Sequence, residues 1–449
     1  MALAGDAVAD DNHYQNFIVG ERATGLGGAF TAIANDASGT YYNPAGIAEA
    51  PYSSVSLSSA VYGFVGNRGT VDTGGLNVTV NDLDSRSFVS YPTTAAWIQQ
   101  VRKGAEDGSG RIQLAFSIIT PQSTVGRNRL VLAGPWEASE TAGQLQRADL
   151  LIALAAEDET LWFGLSAGWK IHRRLAVGAT LYASRRTGLY QLHQHGLVHT
   201  ADAATQQENS RVGLASRVDT AFSHYGLLGV AGAVLFVTDH LRLGASFRTP
   251  SLALHGSADI NVMAAYHDQT AGKSTFEANN QEGVTFRDRQ PLKATLGAAY
   301  VVPRLLGVSV DLSIFGPVGE YAIFEDDAEP ALASDYRMKK RLTWQINAGL
   351  EYYIKGIVPI RAGFFSNRSS LAEFDACLST GECGRHENFM TDPLDLYGVT
   401  GSVGYEIDRA TLTLGLSYNY GSRQSETSGL ALDVSRSFLF VVLGGSFRF

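Results

Sequence analysis

The chain has 449 residues and a net charge of −9, with 45% hydrophobic, 18% charged and 10% aromatic residues, 48 Gly, 12 Pro and 2 Cys. This hydrophobic content excludes a disordered chain, two cysteines exclude a disulfide scaffold, and the lack of any basic block argues against a nucleic-acid partner. The longest apolar run, Leu227 to Val237, is shorter than the ~18 residues of a spanning helix, so a mean hydropathy of −0.03 leaves a soluble all-β protein or a membrane barrel.

In chain order, Met1 to Asp11 has no basic start and no apolar core, and Ala2-Leu3-Ala4 reads as the stub of a removed signal peptide. Residues 1–50 do not alternate. Small residues dominate from Gly20 to Ala48, with Gly25-Leu26-Gly27-Gly28 and Asn43-Pro44-Ala45 as the most distinctive runs. Pro44 fixes its own φ and forces Asn43 into an extended or turn conformation, so the triplet is a rigid bend. It is either a pivot or a tight turn before the first strand. The glycine run has no strand before it and no βαβ unit after it, which argues against a nucleotide site.

From there the chain predicts strands near 52–65, 86–101, 110–121, 160–171, 175–190, 225–237, 241–256, 289–302, 306–320, 338–353, 358–368, 394–407, 410–423 and 435–449. Leu161, Phe163, Leu165, Ala167, Trp169 and Ile171 alternate with Trp162, Gly164, Ser166, Gly168 and Lys170, and Leu412, Leu414, Leu416 and Tyr418 alternate with Thr411, Thr413, Gly415 and Ser417. Short turns alternate with long polar loops at 66–85, 122–158, 191–224, 257–288, 321–337, 369–393 and 424–434. An even strand count with short turns at one rim and long loops at the other predicts an all-β, 14-stranded antiparallel transmembrane barrel of the bacterial outer membrane, both termini periplasmic. A soluble sandwich would expose the greasy face to water. Tyr and Trp near strand ends, and a last strand closing on Phe447 and Phe449, agree with interfacial girdles. Residues 1–50 are then a plug inside the lumen and residues 51–449 the barrel.

With these residues in view, the run Gly20-Glu21-Arg22-Ala23…Gly25-Leu26-Gly27-Gly28-Ala29-Phe30…Asp36-Ala37-Ser38…Asn43-Pro44-Ala45-Gly46 resembles the hatch of the FadL-type outer-membrane family, transporters of long-chain fatty acids and aromatic hydrocarbons. Glu21 and Asn35 depart mildly from it. The resemblance implies that Gly27, Gly28, Asn43, Pro44 and Ala45 belong to a movable hatch. It also implies that a hydrophobic ligand is captured among the outer loops and leaves sideways through a kinked third strand, with no cofactor and no energy source. Related barrels serve secretion, adhesion or motility machines, so a structural subunit with a protein partner is the competing class.

The parts of such a transporter have candidates. Proline cannot donate to a ladder, so Thr120-Pro121 marks either a lateral gap or the end of the third strand. Trp162, Phe315, Phe365, Phe438, Phe440 and Val442 fall on the inward face and make it partly apolar, unlike a water-filled porin. Inward Lys170, Arg186, Arg248, Lys293 and Arg361 either meet a carboxylate head group or pair with lumen acids such as Asp311, Glu351 and Glu406. Residues 140–157, with Leu145, Leu150, Leu151 and Leu154, predict an amphipathic helix that forms a capture groove or packs over the barrel mouth. Cys377 and Cys383 share one outer loop and predict a disulfide. His193, His195 and His199, and the acidic run Glu325, Asp326, Asp327 and Glu329, are weak metal candidates on polar loops. Ser and His abound without a distinguishing catalytic context, so no enzyme is expected. The expected partners are a hydrophobic small molecule, outer-membrane lipid and lipopolysaccharide.

Overall fold

The structure, a computed structural model, describes residues 13–15, 18–50, 52–72, 91–133, 136–138, 143–325, 337–371, 374–377, 383–386, 394–427 and 430–449. Fourteen antiparallel strands close on themselves. They are β1 (Ser54–Asp72), β2 (Tyr91–Arg102), β3 (Ile112–Ala133), β4 (Gln144–His172), β5 (Leu175–Asp202), β6 (Glu208–Phe236), β7 (Leu241–Arg248, resuming as Leu252–Asp268), β8 (Lys273–Phe286, resuming as Lys293–Val302), β9 (Leu306–Phe315), β10 (Thr343–Ile354), β11 (Val358–Asn367), β12 (Leu396–Glu406), β13 (Ala410–Thr427) and β14 (Leu430–Arg448). Each strand pairs with its sequence neighbour, and β14 pairs with β1 from Ser54↔Arg448 to Asp72↔Ala431, so no edge is left at the seam.

Period two decides which side chain meets which solvent. Leu165, Trp169, Leu296, Val310, Leu350, Val399, Leu414 and Tyr418 are exposed on the outer wall, whereas Ser166, Thr295, Asp311, Glu351, Thr400 and Ser417 are buried on the inner one. This is the face pattern of a barrel set in lipid, where about ten residues of each strand suffice to span.

The strands β4, β5 and β6 have 29, 28 and 29 residues, roughly 95 Å of chain each, and so continue far beyond the membrane as an outer wall. This corrects three expectations. Residues 144–157 are strand, not helix: Ile152, Leu154 and Ala156 are buried at every second position, and the segment pairs with Leu189–Asp202 of β5. The apolar spacing over 145–154 fits both periods, and the long-range ladder decides between them. Residues 191–202, 208–224 and most of 257–288 are strand rather than loop, because in water both faces of a paired ribbon can be polar and the alternation disappears. His193, His195 and His199 therefore sit on β5, where His193 faces Asp219 at 3.7 Å and His199 faces Glu208 at 2.7 Å, and the described residues hold no metal-binding cluster. Asp326, Asp327 and Glu329 lie outside the described residues.

Candidate ligand site in the barrel lumen

The N-terminal segment forms α1 (Glu21–Gly25), α2 (Gly39–Tyr42) and a 3-10 turn over Pro44–Glu49, and almost all of it is buried. It touches the inner face of the wall around most of the circumference. Thr180 of β5 donates to the Thr40 carbonyl at 3.0 Å, Ser309 of β9 to Ala29 at 2.7 Å, Asn347 of β10 to Gly27 at 2.5 Å and Thr400 of β12 to Gly25 at 3.3 Å. Glycines on the inward face make room for its backbone. A Cβ at Gly178 would collide with Pro44, at Gly232 with Asn43, at Gly244 with Thr31, at Gly349 with Leu26 and at Gly363 with Gly27. Much of the glycine excess is thus a belt that lets the segment's main chain approach the wall.

Two anchors fix the segment. At one, Arg22 makes a bidentate pair with Glu351, Nε to Oε1 at 3.0 Å and Nη2 to Oε2 at 2.8 Å, and Arg361 donates to the same carboxylate at 2.7 Å. At the other, Asn43 is extended (φ −160°), as the following proline requires, and donates to the carbonyls of Thr31 (2.8 Å) and Ala233 (3.0 Å) while its Oδ1 accepts from the Ala45 N–H at 3.1 Å. Gly27 and Gly28 take φ of +62° and +78°, which favours glycine there.

Above the segment the inward side chains gather into an aromatic chamber. Trp162 lies 5.8 Å from Tyr41 and 5.3 Å from Tyr182, and Phe315 stacks on Tyr14 at 4.5 Å. Arg248 lies over Trp162 at 5.4 Å, and Lys293 lies over Phe315 at 5.1 Å and Tyr41 at 5.9 Å. The two cations face each other across the β7–β8 ladder. Arg248 is 5% exposed, yet its Nε and Nη2 have no hydrogen-bond partner among the described residues. Asp311 accepts from the Phe30 and Thr31 N–H groups at 2.8 Å each through Oδ2, and its Oδ1 also has no partner among the described residues. A cavity of about 20 Å³ lies between Arg248, Lys293, Asp311, Tyr41 and Val230, room for about one water molecule.

Of the predicted lumen cations, the structure brings Arg248 and Lys293 to this chamber and takes the others away from it. Lys170 pairs with Glu49 at 2.9 Å, Arg361 with Glu351, and Arg186 with Asp158 and with Asp288 at 3.0 Å. Trp162 and Phe315 line the chamber. Phe365 is buried in the same apolar cluster, while Phe438 and Phe440 stack separately at 6.2 Å. The sequence reading missed Tyr14, Tyr41, Tyr42 and Tyr182. Tyr182 shares the parity of Thr180 and so faces inward, fully buried.

At Thr120–Pro121 the third strand continues through a bulge between Ile119 and Gln122, and Ile119, Thr120 and Pro121 are all buried. Beyond Ile119 the described part of β3 pairs only with β4. Cys377 and Cys383 lie opposite each other on a two-strand hairpin.

Comparisons with known proteins complete the picture. No protein-family profile and no curated protein matches the sequence. Among solved structures, the chain is similar to a Pseudomonas aeruginosa FadL homologue (TM-score 0.61, 13% identity, covering 97% of this chain and 100% of that one). It is also similar to the Pseudomonas putida toluene transporter TodX (0.57, 14%, 98% and 99%) and the Ralstonia pickettii toluene transporter TbuX (0.52, 16%, 97% and 99%). At such identities the likeness is one of architecture: the chain has the fold of the FadL-type channels.

Proposed function

We propose that this protein is an outer-membrane channel for the passive uptake of hydrophobic small molecules, long-chain fatty acids or hydrocarbons. In this reading residues 1–50 are its hatch, the outer wall of long strands captures the ligand, and the bulge at Thr120–Pro121 is a lateral release point toward lipid. The last strand ends at Arg448 beside the short turns, which supports a periplasmic C-terminus. The observation that carries the reading is Arg248, a buried guanidinium with two free nitrogens beside Lys293 in an aromatic chamber. A buried unpaired cation is costly, and a carboxylate at the end of a hydrocarbon chain would satisfy it while the aromatic rings take the chain. The similar structures are toluene transporters and a FadL homologue, which supports an apolar cargo. A cavity of about 20 Å³ holds no acyl chain, so the hatch has to shift for the ligand to enter.

The test is calorimetric titration of purified, delipidated protein with oleate and with toluene. Saturable oleate binding that weakens in Arg248→Ala, with toluene binding unchanged, supports the reading. Oleate binding indifferent to Arg248 and Lys293 would remove it.

A further inference from the structure

Three neighbouring strands lose their ladder at one height, and each carries a proline there. β7 is interrupted by Thr249-Pro250-Ser251, β8 by residues 287–292 with Pro291, and β9 stops at Phe315 before Gly316-Pro317. Proline has no N–H to donate, so three in a row prevent a continuous sheet whatever the neighbours do. The crossing is held by isolated bonds: Ser251 N–H to the Gln290 carbonyl (3.1 Å), Gln290 N–H to Ser251 Oγ (2.8 Å), Gly316 N–H to Leu292 (3.0 Å) and Arg287 N–H to Ile323 (2.9 Å). Above it β7 follows β6 from Leu227↔Leu252 onward, but it meets β8 again only at Ser257↔Thr285.

Burial shows the consequence. Along β7 the alternation of the faces fails, and Leu252, Ala253, Leu254 and His255 are exposed in succession, with Leu252 at 62% and Leu254 at 60%. Ala253 pairs with Gly226 and so belongs to the inward parity, yet it is open. The proline bulge of β3 shows the opposite, three successive buried residues. The opening also has two chemically different lips. Below it are Arg248 and Lys293, the last and first residues of the interrupted ladder. Above it is an inward aromatic run, Tyr190 on Phe222 at 5.5 Å, Phe222 on Phe286 at 4.1 Å and Phe286 on Phe324 at 5.5 Å.

We propose that this break is a second lateral portal, through which the hydrocarbon chain of a carboxylate amphiphile reaches the surrounding lipid while its head group sits on Arg248 and Lys293. The proposal rests on the transport reading for the direction of traffic, and on the wall geometry for the place. Leu252, Leu254 and Leu292 give the outer rim an apolar surface that a chain can follow.

The experiment uses the full chain in proteoliposomes with bimane attached at Ala253→Cys, and at the outward-facing Ala298→Cys as the lipid-exposed control. Wild-type protein taken through the same labelling accounts for Cys377 and Cys383. Dibromostearate should quench the Ala253→Cys probe several-fold in a saturable manner that oleate reverses, the control should show only linear partitioning, and the label at 253 should slow oleate uptake several-fold. Saturable quenching without any uptake by the wild type would keep the portal as a binding site and overturn the transport reading. Uptake that proceeds unaffected, with no saturable quenching at 253, would overturn the portal and leave transport standing. Loss of both signals would overturn both.

Discussion

Replacing Arg22 by alanine isolates the docking of the N-terminal segment from the folding of the wall. Arg22 contributes the segment's half of a triad whose other members, Glu351 and Arg361, belong to β10 and β11 and stay paired at 2.7 Å without it. The change removes the bidentate pair, the 2.7 Å bond to Asn35 and the cation–π contact with Phe30 at 5.5 Å. Removing one member of a buried pair costs about 3–5 kcal/mol when its partner is left alone. Because Glu351 keeps Arg361, the lower end applies, and about 3 kcal/mol corresponds to a rise of roughly 100-fold in the released population. Hydrogen exchange read by mass spectrometry follows this directly, since the amides of Phe30 and Thr31 bond Asp311 of the wall only when the segment is seated. Protection of residues 20–35 should fall about 100-fold, with β10 and β11 unchanged, and Arg22→Lys should lose roughly tenfold, because the charge remains but the fork does not. Equal protection in wild type and Arg22→Ala, or a parallel loss in the strands, would refute the idea of a separately docked hatch.

Other outcomes follow from the same geometry. Gly178→Val drives a side chain into Pro44 and should destabilise the protein by about 1–3 kcal/mol in heat or urea unfolding, whereas Gly196→Val, in open space on the same strand, should not. Arg248→Ala together with Lys293→Ala should weaken oleate binding 10- to 100-fold, for about 1.5–3 kcal/mol of charge-assisted hydrogen bonding, and leave a neutral hydrocarbon within about threefold. At the tip of the β5–β6 hairpin, outside the membrane, hydrogen bonds from Arg211 and His199 hold the Glu208 carboxyl down at about 2. A depressed carboxylate stabilises above its unfolded value and ceases to do so as pH falls through the folded one, so limited proteolysis at residues 203–207 should stay slow from neutral pH to about 4 and accelerate toward pH 2. Thiol titration of unfolded protein should find no free thiol at Cys377 and Cys383 before reduction, and two afterwards; two from the start would dismiss the disulfide.

The sequence made the membrane part of this molecule legible because there the solvent differs between the two faces. Leu161 to Ile171 alternates since one side meets lipid and the other the lumen, and the turn lengths then count the strands. Outside the membrane both faces of a ribbon meet water. Gln191 to Asp202 therefore looks like a loop, although it pairs residue by residue with β4 and β6. The site was half legible for a related reason. Parity put Arg248, Lys293, Trp162 and Phe315 on the inside, but parity gives no partners: Lys170 and Arg361 look equivalent to Arg248 in sequence, and only the strand register gives Arg361 its Glu351 and only the path of the N-terminal segment gives Lys170 its Glu49. The prolines at 250, 291 and 317 are unremarkable singly and acquire meaning only when the ladder aligns them.

The most direct test of the account is oleate flux into proteoliposomes down a concentration gradient, without ATP or a proton gradient. A passive channel for hydrophobic molecules predicts saturable entry that depends on Arg248, with no entry of a sugar of similar mass. Liposomes carrying the protein that take up oleate no faster than empty ones, or that admit the sugar freely, would contradict it.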